Sequence, residues 1–153
     1  MPVDPKELHH DFVVETSELL QLAETILLNL EVSGDLDPVH ALFRAVHTIK
    51  GTSAFLGFQG LSEVSHAVEA ILDGYRSKRF AVNRPTIDLM LLYIDAARAF
   101  LQLLQLYGAE RALQQDFTRL AEKLRATARG LDQAALPPTA AATGTGAIPP
   151  PPG

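Results

Sequence analysis

The sequence predicts an all-α domain: an antiparallel up-and-down four-helix bundle with an additional C-terminal fifth helix and a disordered, Pro/Ala-rich tail. Three observations carry this. Of ten prolines in 153 residues, only Pro38 and Pro85 fall between residues 6 and 136, and so proline-poor a stretch suits long helices rather than a loop-rich sandwich. Apolar residues recur at helical spacing over long segments, and no segment shows the two-residue period of a strand. Apolar residues make up 47% of the chain, enough for a core, and short connections make consecutive helices antiparallel neighbours.

The first helix spans about Pro5 to Leu30. Leu8, Phe12, Leu19, Leu22, Ala23, Ile26 and Leu30 share one face, widened by Val13, Leu20 and Leu27. The stretch from Glu31 to Asp35 breaks the pattern. The second helix opens with Asp37 as N-cap and Pro38 in the first turn. Its core stripe is Leu42, Val46, Ile49, Ser53 and Leu56, and Gly57 ends it. The third begins near Leu61, with Val64, Val68, Ile71, Leu72 and Tyr75 facing inward. Asn83 before Arg84-Pro85 is a second cap-then-proline start. The fourth helix then runs to about Tyr107, apolar on several sides (Ile87, Met90, Leu91, Ile94, Ala97, Leu101, Leu104), and Gly108 closes it. The fifth has a narrow stripe, Leu113, Phe117, Leu120, Leu124 and Ala128, opposite Arg111, Arg119, Glu122, Arg125 and Arg129. It packs by one side only.

Residues 1–130 therefore read as one five-helix domain and 131–153 as a linker or tail. The latter carries a single charge, Asp132, among Ala, Thr, Pro and Gly, and such a segment buries too little apolar surface to offset its ordering entropy. It is expected to tether the domain to a larger protein.

Composition narrows the function. Without cysteine there is no disulfide framework, thiol nucleophile or thiolate metal site. The net charge of −5 is uneven: residues 1–40 hold nine acids and one base, and residues 41–153 hold nine acids and twelve bases. An acidic chain whose tightest basic group is Arg76, Lys78 and Arg79, a solvated helix end, is not expected to bind nucleic acid. The longest aliphatic and aromatic run, Leu89 to Ile94, is far short of a membrane span, and the N-terminus lacks a signal-peptide pattern. A cytoplasmic location without membrane insertion is expected.

The second helix holds the most informative residues. His47 lies about 140° around the helix from Leu42, away from the core stripe. Lys50, Gly51 and Ala54 share its outward side. Gly51 costs a helix roughly 1 kcal/mol relative to Ala, and one compensating benefit is access for another protein to an exposed imidazole. Lys50 would set a positive charge near a phosphoryl group carried there. On the third helix, His66 and Glu69 form an i, i+3 pair on the polar side, with Ser62 nearby. A carboxylate there can take a hydrogen bond from one ring nitrogen of His47, leaving the other nitrogen's lone pair as a nucleophile. Helix geometry alone leaves the plainer reading standing, a surface histidine beside an incidental glycine and a solvated helical pair.

The stretch His47-Thr-Ile-Lys-Gly-Thr-Ser-Ala-Phe-Leu-Gly-Phe58 resembles the phosphoacceptor motif of histidine phosphotransfer (HPt) domains. More narrowly, it resembles the N-terminal HPt domain of CheA-type chemotaxis histidine kinases. The His-x-x-Glu of the following helix is matched by His66-Ala-Val-Glu69, and Phe43-Arg44-Ala45 before the histidine also fits. The resemblance covers roughly residues 5 to 130. It implies that His47 is the phosphorylated residue, that Glu69 orients it, and that Lys50 and His66 complete the polar network. Gly51 and Ala54 would give clearance; many relatives have glycine where Ala54 stands. Phe43 and Arg44 would belong to the docking surface, although for Phe43, Phe55 and Phe58 a core position is the commoner place.

The resemblance also implies a mechanism. An ATP-dependent kinase domain, in cis or in trans, phosphorylates His47, and the group passes to an aspartate of a CheY- or CheB-type response regulator. The chain itself has no Gly-x-x-x-x-Gly-Lys loop. It is expected to bind no cofactor, with ATP used by the kinase domain and Mg²⁺ supplied by the kinase and regulator. Two other classes compete with this one. One is a helical adaptor without chemistry. The other is a carboxylate-bridged metal bundle, suggested by Glu63-Val-Ser-His66 and the Glu7–His10 spacing but lacking the inward glutamates such bundles need from two further helices.

Overall fold

The computed structural model describes residues 4–33 and 35–134. Within them the backbone forms six helices and no strand: α1 (Pro5–Ser33), α2 (Asp37–Phe55), α3 (Gln59–Arg76), α4 (Arg84–Tyr107), α5 (Ala109–Ala112) and α6 (Thr118–Ala134). The first four run alternately up and down. Helix α2 packs most broadly on α3, α1 packs on α4 and α2, and α4 meets α3, which closes a four-helix ring. Helix α6 lies outside it, mainly against α3.

Local chemistry places the ends. Asn83 Oδ1 accepts from the Thr86 backbone N–H at 2.9 Å and caps α4, with Pro85 in the first turn. Gly57 and Gly108, after α2 and α4, have φ of +84° and +92°, a conformation that costs glycine little. In α2 the first helical residue is Asp37 itself. Leu36 stands at the N-cap, with no side-chain cap, and Asp35 Oδ1 accepts from the Asp37 N–H at 3.0 Å. The cap expected at Asp37 is thus replaced by an aspartate two residues earlier.

The core runs the length of the ring. Every inward position read for α3 is buried, as are Leu42, Val46, Ile49 and Ser53 of α2. On α1 the face built by Phe12, Val13, Leu20, Ile26, Leu27 and Leu30 is buried, whereas Leu22 is exposed and Leu8 and Leu19 are only partly covered. The stripe is rotated from the expected one, because α4 covers one flank of α1 and α2 the other.

The C-terminal region departs furthest from the sequence reading. The apolar series from Leu113 to Ala128 looks like one helix but is broken after α5, and Leu113 is exposed. Gln115 Nε2 donates to the Ala96 carbonyl at 2.8 Å, and Asp116 Oδ1 accepts from the Thr118 N–H at 2.9 Å to open α6. Phe117 drops into the core, its ring 3.0 Å from where a Cβ on Gly60 would stand and 6.0 Å from Phe100. Helix α6 also continues through Gly130 to Ala134, past the boundary drawn at 130. Residues 135–153, most of the expected tail, lie outside the described residues.

Candidate functional site

The α2–α3 packing brings the outward side of α2 against the flank of α3. Glu69 is buried there, its side chain 7% exposed. Its two carboxylate oxygens are divided. Oε2 lies 2.6 Å from Nδ1 of His47, and Oε1 accepts from Nζ of Lys50 at 2.6 Å. A carboxylate accepts, so Nδ1 carries the proton, and the lone pair of the neutral ring sits on Nε2. The His47 side chain is 61% exposed, so a buried anion holds one edge of a ring whose body stands in solvent.

A carboxylate buried to this degree needs partners. Lys50, 28% exposed, supplies a charge-assisted bond while its stem lies along the surface. Its ammonium is therefore committed to Glu69 rather than waiting beside the ring. Ser62 Oγ donates to the Lys50 carbonyl at 3.1 Å, and further in Ser65 and Tyr93 share a buried hydrogen bond at 2.7 Å. Burial pushes the Tyr93 hydroxyl well above the ordinary tyrosine range, and the negative charge of Glu69 adds to this.

The other sequence candidates divide. Gly51 is exposed, and a Cβ built on it meets nothing within 4 Å. Ala54, Arg44 and Phe55 are exposed, whereas Phe58 is buried. His66 is exposed and makes no hydrogen bond or ion pair among the described residues, so it stands outside the network expected to include it. Glu63 is likewise exposed, and among the described residues no group of three or more His, Asp or Glu side chains gathers as a metal site would.

Two residues take unexpected positions. Phe43, half-buried, stacks against His47 with ring centroids 6.0 Å apart and planes 10° apart. Arg76 lays its guanidinium carbon 3.7 Å from the centre of the Phe43 ring. Arg76 ends α3 with its side chain 34% exposed, so the helix end read as solvated there is partly so, with the guanidinium also covering a ring. The i, i+4 spacing of Phe43 and His47 was a visible signal of the first contact, but nothing local marks the second.

Comparison with known proteins gives the family and the fold. The Hpt domain family model matches residues 7–135. The chain is 37% identical over 98 residues to the chemotaxis protein CheA of Treponema pallidum, covering 63% of this chain and 12% of that one. It is 42% identical over 82 residues to the CheA of Listeria monocytogenes, covering 52% and 13%. It is 31% identical over 108 residues to the sensor histidine kinase CheAY of Helicobacter pylori, covering 70% and 13%. The chain thus spans about an eighth of the length of these relatives. Among solved structures, the histidine phosphotransfer domain of CheA superposes with a TM-score of 0.71 at 25% identity, over 80% of this chain and 92% of that one. The phosphorylated P1 domain of CheA3, solved in complex with CheY6 from R. sphaeroides, superposes with a TM-score of 0.70 at 24% identity, over 82% and 98%, a likeness of fold. With the family match running from the first helix to the last, an exposed histidine on the second and a buried glutamate on the third, this chain belongs to the Hpt domain family.

Proposed function

We propose that this domain carries a phosphoryl group on Nε2 of His47, taken from a CheA-type, ATP-dependent kinase domain and passed to a response regulator of the CheY or CheB type. The observation that carries this is the 2.6 Å contact of Nδ1 with the buried Glu69 beneath a ring 61% exposed. Held at one nitrogen, the imidazole presents the other to solvent as a nucleophile.

The steps follow from that geometry. The Nε2 lone pair attacks the terminal phosphorus of ATP; the Nε2–P bond forms and the P–O bond to the departing ADP breaks. Nδ1 keeps its proton, and Glu69 offsets the positive charge that develops on the ring. In the second step a carboxylate oxygen of the regulator's aspartate attacks phosphorus, the N–P bond breaks, and the electron pair returns to Nε2. ATP belongs to the kinase domain, and Mg²⁺ to the kinase and the regulator. The chain itself binds no cofactor in this reading, and it works in the cytoplasm, with the kinase domain in cis or in trans.

The open space above Gly51 supports the same reading. Nothing inside the domain requires glycine there, so the helix accepts its cost of roughly 1 kcal/mol without a packing reason, and a partner closing over His47 would supply one. The test is to incubate the domain with a CheA-type kinase core and labelled ATP. An acid-labile, base-stable label that is lost in His47→Gln is expected. No label from any such kinase would sink the proposal and leave a helical adaptor in its place.

A further inference from the structure

We propose that Arg76 is a positioning residue for His47: its guanidinium, laid on Phe43, holds that ring against the imidazole and keeps Nε2 turned outward. This rests on the reading of His47 as the phosphoryl carrier.

The need for such a residue comes from what Glu69 leaves undone. One hydrogen bond at Nδ1 sets a direction, but a ring held at one corner still swings about that bond. His47 stands on the exposed side of α2, so the core does not restrict it. A contact on the flat of the ring does, and Phe43, one turn earlier on the same helix, supplies an offset stack at 6.0 Å and 10°. Phe43 is itself only half-buried, and a half-buried ring at a helix surface has other rotamers open to it. Arg76, from the last turn of α3, covers a face of it at 3.7 Å, at the short end of cation–π range.

The guanidinium is itself tethered. Its Nε donates to Asp73 Oδ1 at 3.4 Å, and the other oxygen of Asp73 accepts from Arg79 Nη1 at 3.2 Å. Arg79 in turn bonds Asp132 of α6 at 3.0 Å. Arginine suits the place because a planar cation covers a ring while keeping its donors free at the rim, which a lysine ammonium does not. The α3 end, anchored to α6, is thereby coupled to the orientation of a side chain on α2.

The experiment is a double-mutant cycle on the full chain with Phe43→Leu and Arg76→Gln, read in two ways. The first reading is the initial rate of His47 labelling by saturating kinase core. The second, by NMR without kinase, is the ring-to-ring contact of Phe43 and His47. Arg76→Gln is expected to weaken the ring contact and slow labelling about three- to tenfold, as the imidazole spreads over more rotamers. Added to Phe43→Leu, it should cost nothing more, because its effect runs through that ring. Phe43→Tyr, which keeps the ring, should label within about twofold of the parent. Ring contacts and rate unchanged in Arg76→Gln would overturn the proposal, as would losses that multiply in the double variant. If the unaltered protein takes no label, the phosphotransfer reading falls, and the NMR arm decides the positioning claim by the same criterion.

Discussion

Replacing Glu69 by alanine separates orientation from packing. The carboxylate receives two charge-assisted hydrogen bonds, from His47 and Lys50, both at 2.6 Å. Truncation leaves both donors able to reach water, since the two side chains are 61% and 28% exposed, and it also removes the burden of a carboxylate only 7% exposed. With desolvation relieved on one side and hydrogen bonds lost on the other, the net change in stability should be within about 1 kcal/mol. The reaction is affected differently. A hydrogen bond to a charged group is worth about 1.5–3 kcal/mol, and this one strengthens as the ring becomes positive during attack. Its loss should slow labelling of His47 about 10- to 100-fold. The assay is single-turnover phosphorylation by saturating kinase core, beside thermal melting followed by circular dichroism. A rate within about threefold of the parent, with an unchanged melt, would refute the reasoning.

The same structure sets the outcome of four other substitutions. In Gly51→Leu the new side chain points into open space, so the melt should hold or rise by up to about 1 kcal/mol while transfer from phosphorylated His47 to a regulator is blocked; transfer at the parent rate would show that clearance is irrelevant. Gly74→Ala drives a Cβ into the Phe80 ring, which must push that ring off Tyr75 and should cost about 1–3 kcal/mol in urea denaturation. Asn83→Ala removes the α4 cap and should cost about 1 kcal/mol by the same measurement. Glu24 is held below the ordinary glutamate range by its hydrogen bonds to Arg98, at 2.9 and 3.1 Å. A depressed carboxylate contributes stability above its unfolded value, near about pH 4.3, and loses it as pH falls through the folded value. Arg98→Met should therefore lose up to about 1 kcal/mol at neutral pH and show a flatter melting profile below pH ~4.3; a profile parallel to the parent's would contradict this.

Much of the fold was legible because its signals are local. Asn83-Arg84-Pro85 announces a helix start through one side-chain acceptor and one missing N–H, and it does so in any tertiary setting. The inward set of α3 was readable throughout because one stripe faces the bundle while the opposite flank is polar. Helix α1 was harder. Apolar residues run almost all round it, so the sequence offers two overlapping stripes, and only the placement of α4 and α2 decides that Leu20 is covered and Leu22 is not. The break before α6 was hidden for a related reason. Leu113, Phe117 and Leu120 keep helical spacing, yet Gln115 gains a carbonyl partner on α4 and Asp116 caps the next helix, bonds that a continuous helix would forgo.

For the site, the sequence by itself determined which residues were available and on which helix each stands: a histidine and lysine one turn apart on the outward side of α2, and a histidine and glutamate on the polar side of α3. These follow from a rise and a rotation per residue that no neighbour alters. What only the tertiary structure decided is which of them meet. Glu69 reaches both His47 and Lys50, His66 reaches neither, and Arg76 lies over Phe43. Those pairings depend on the rotation and offset of α2 against α3, which are set by how the Leu42–Ser53 and Val64–Tyr75 stripes interlock. That is a property of two packed surfaces, and no local segment contains it.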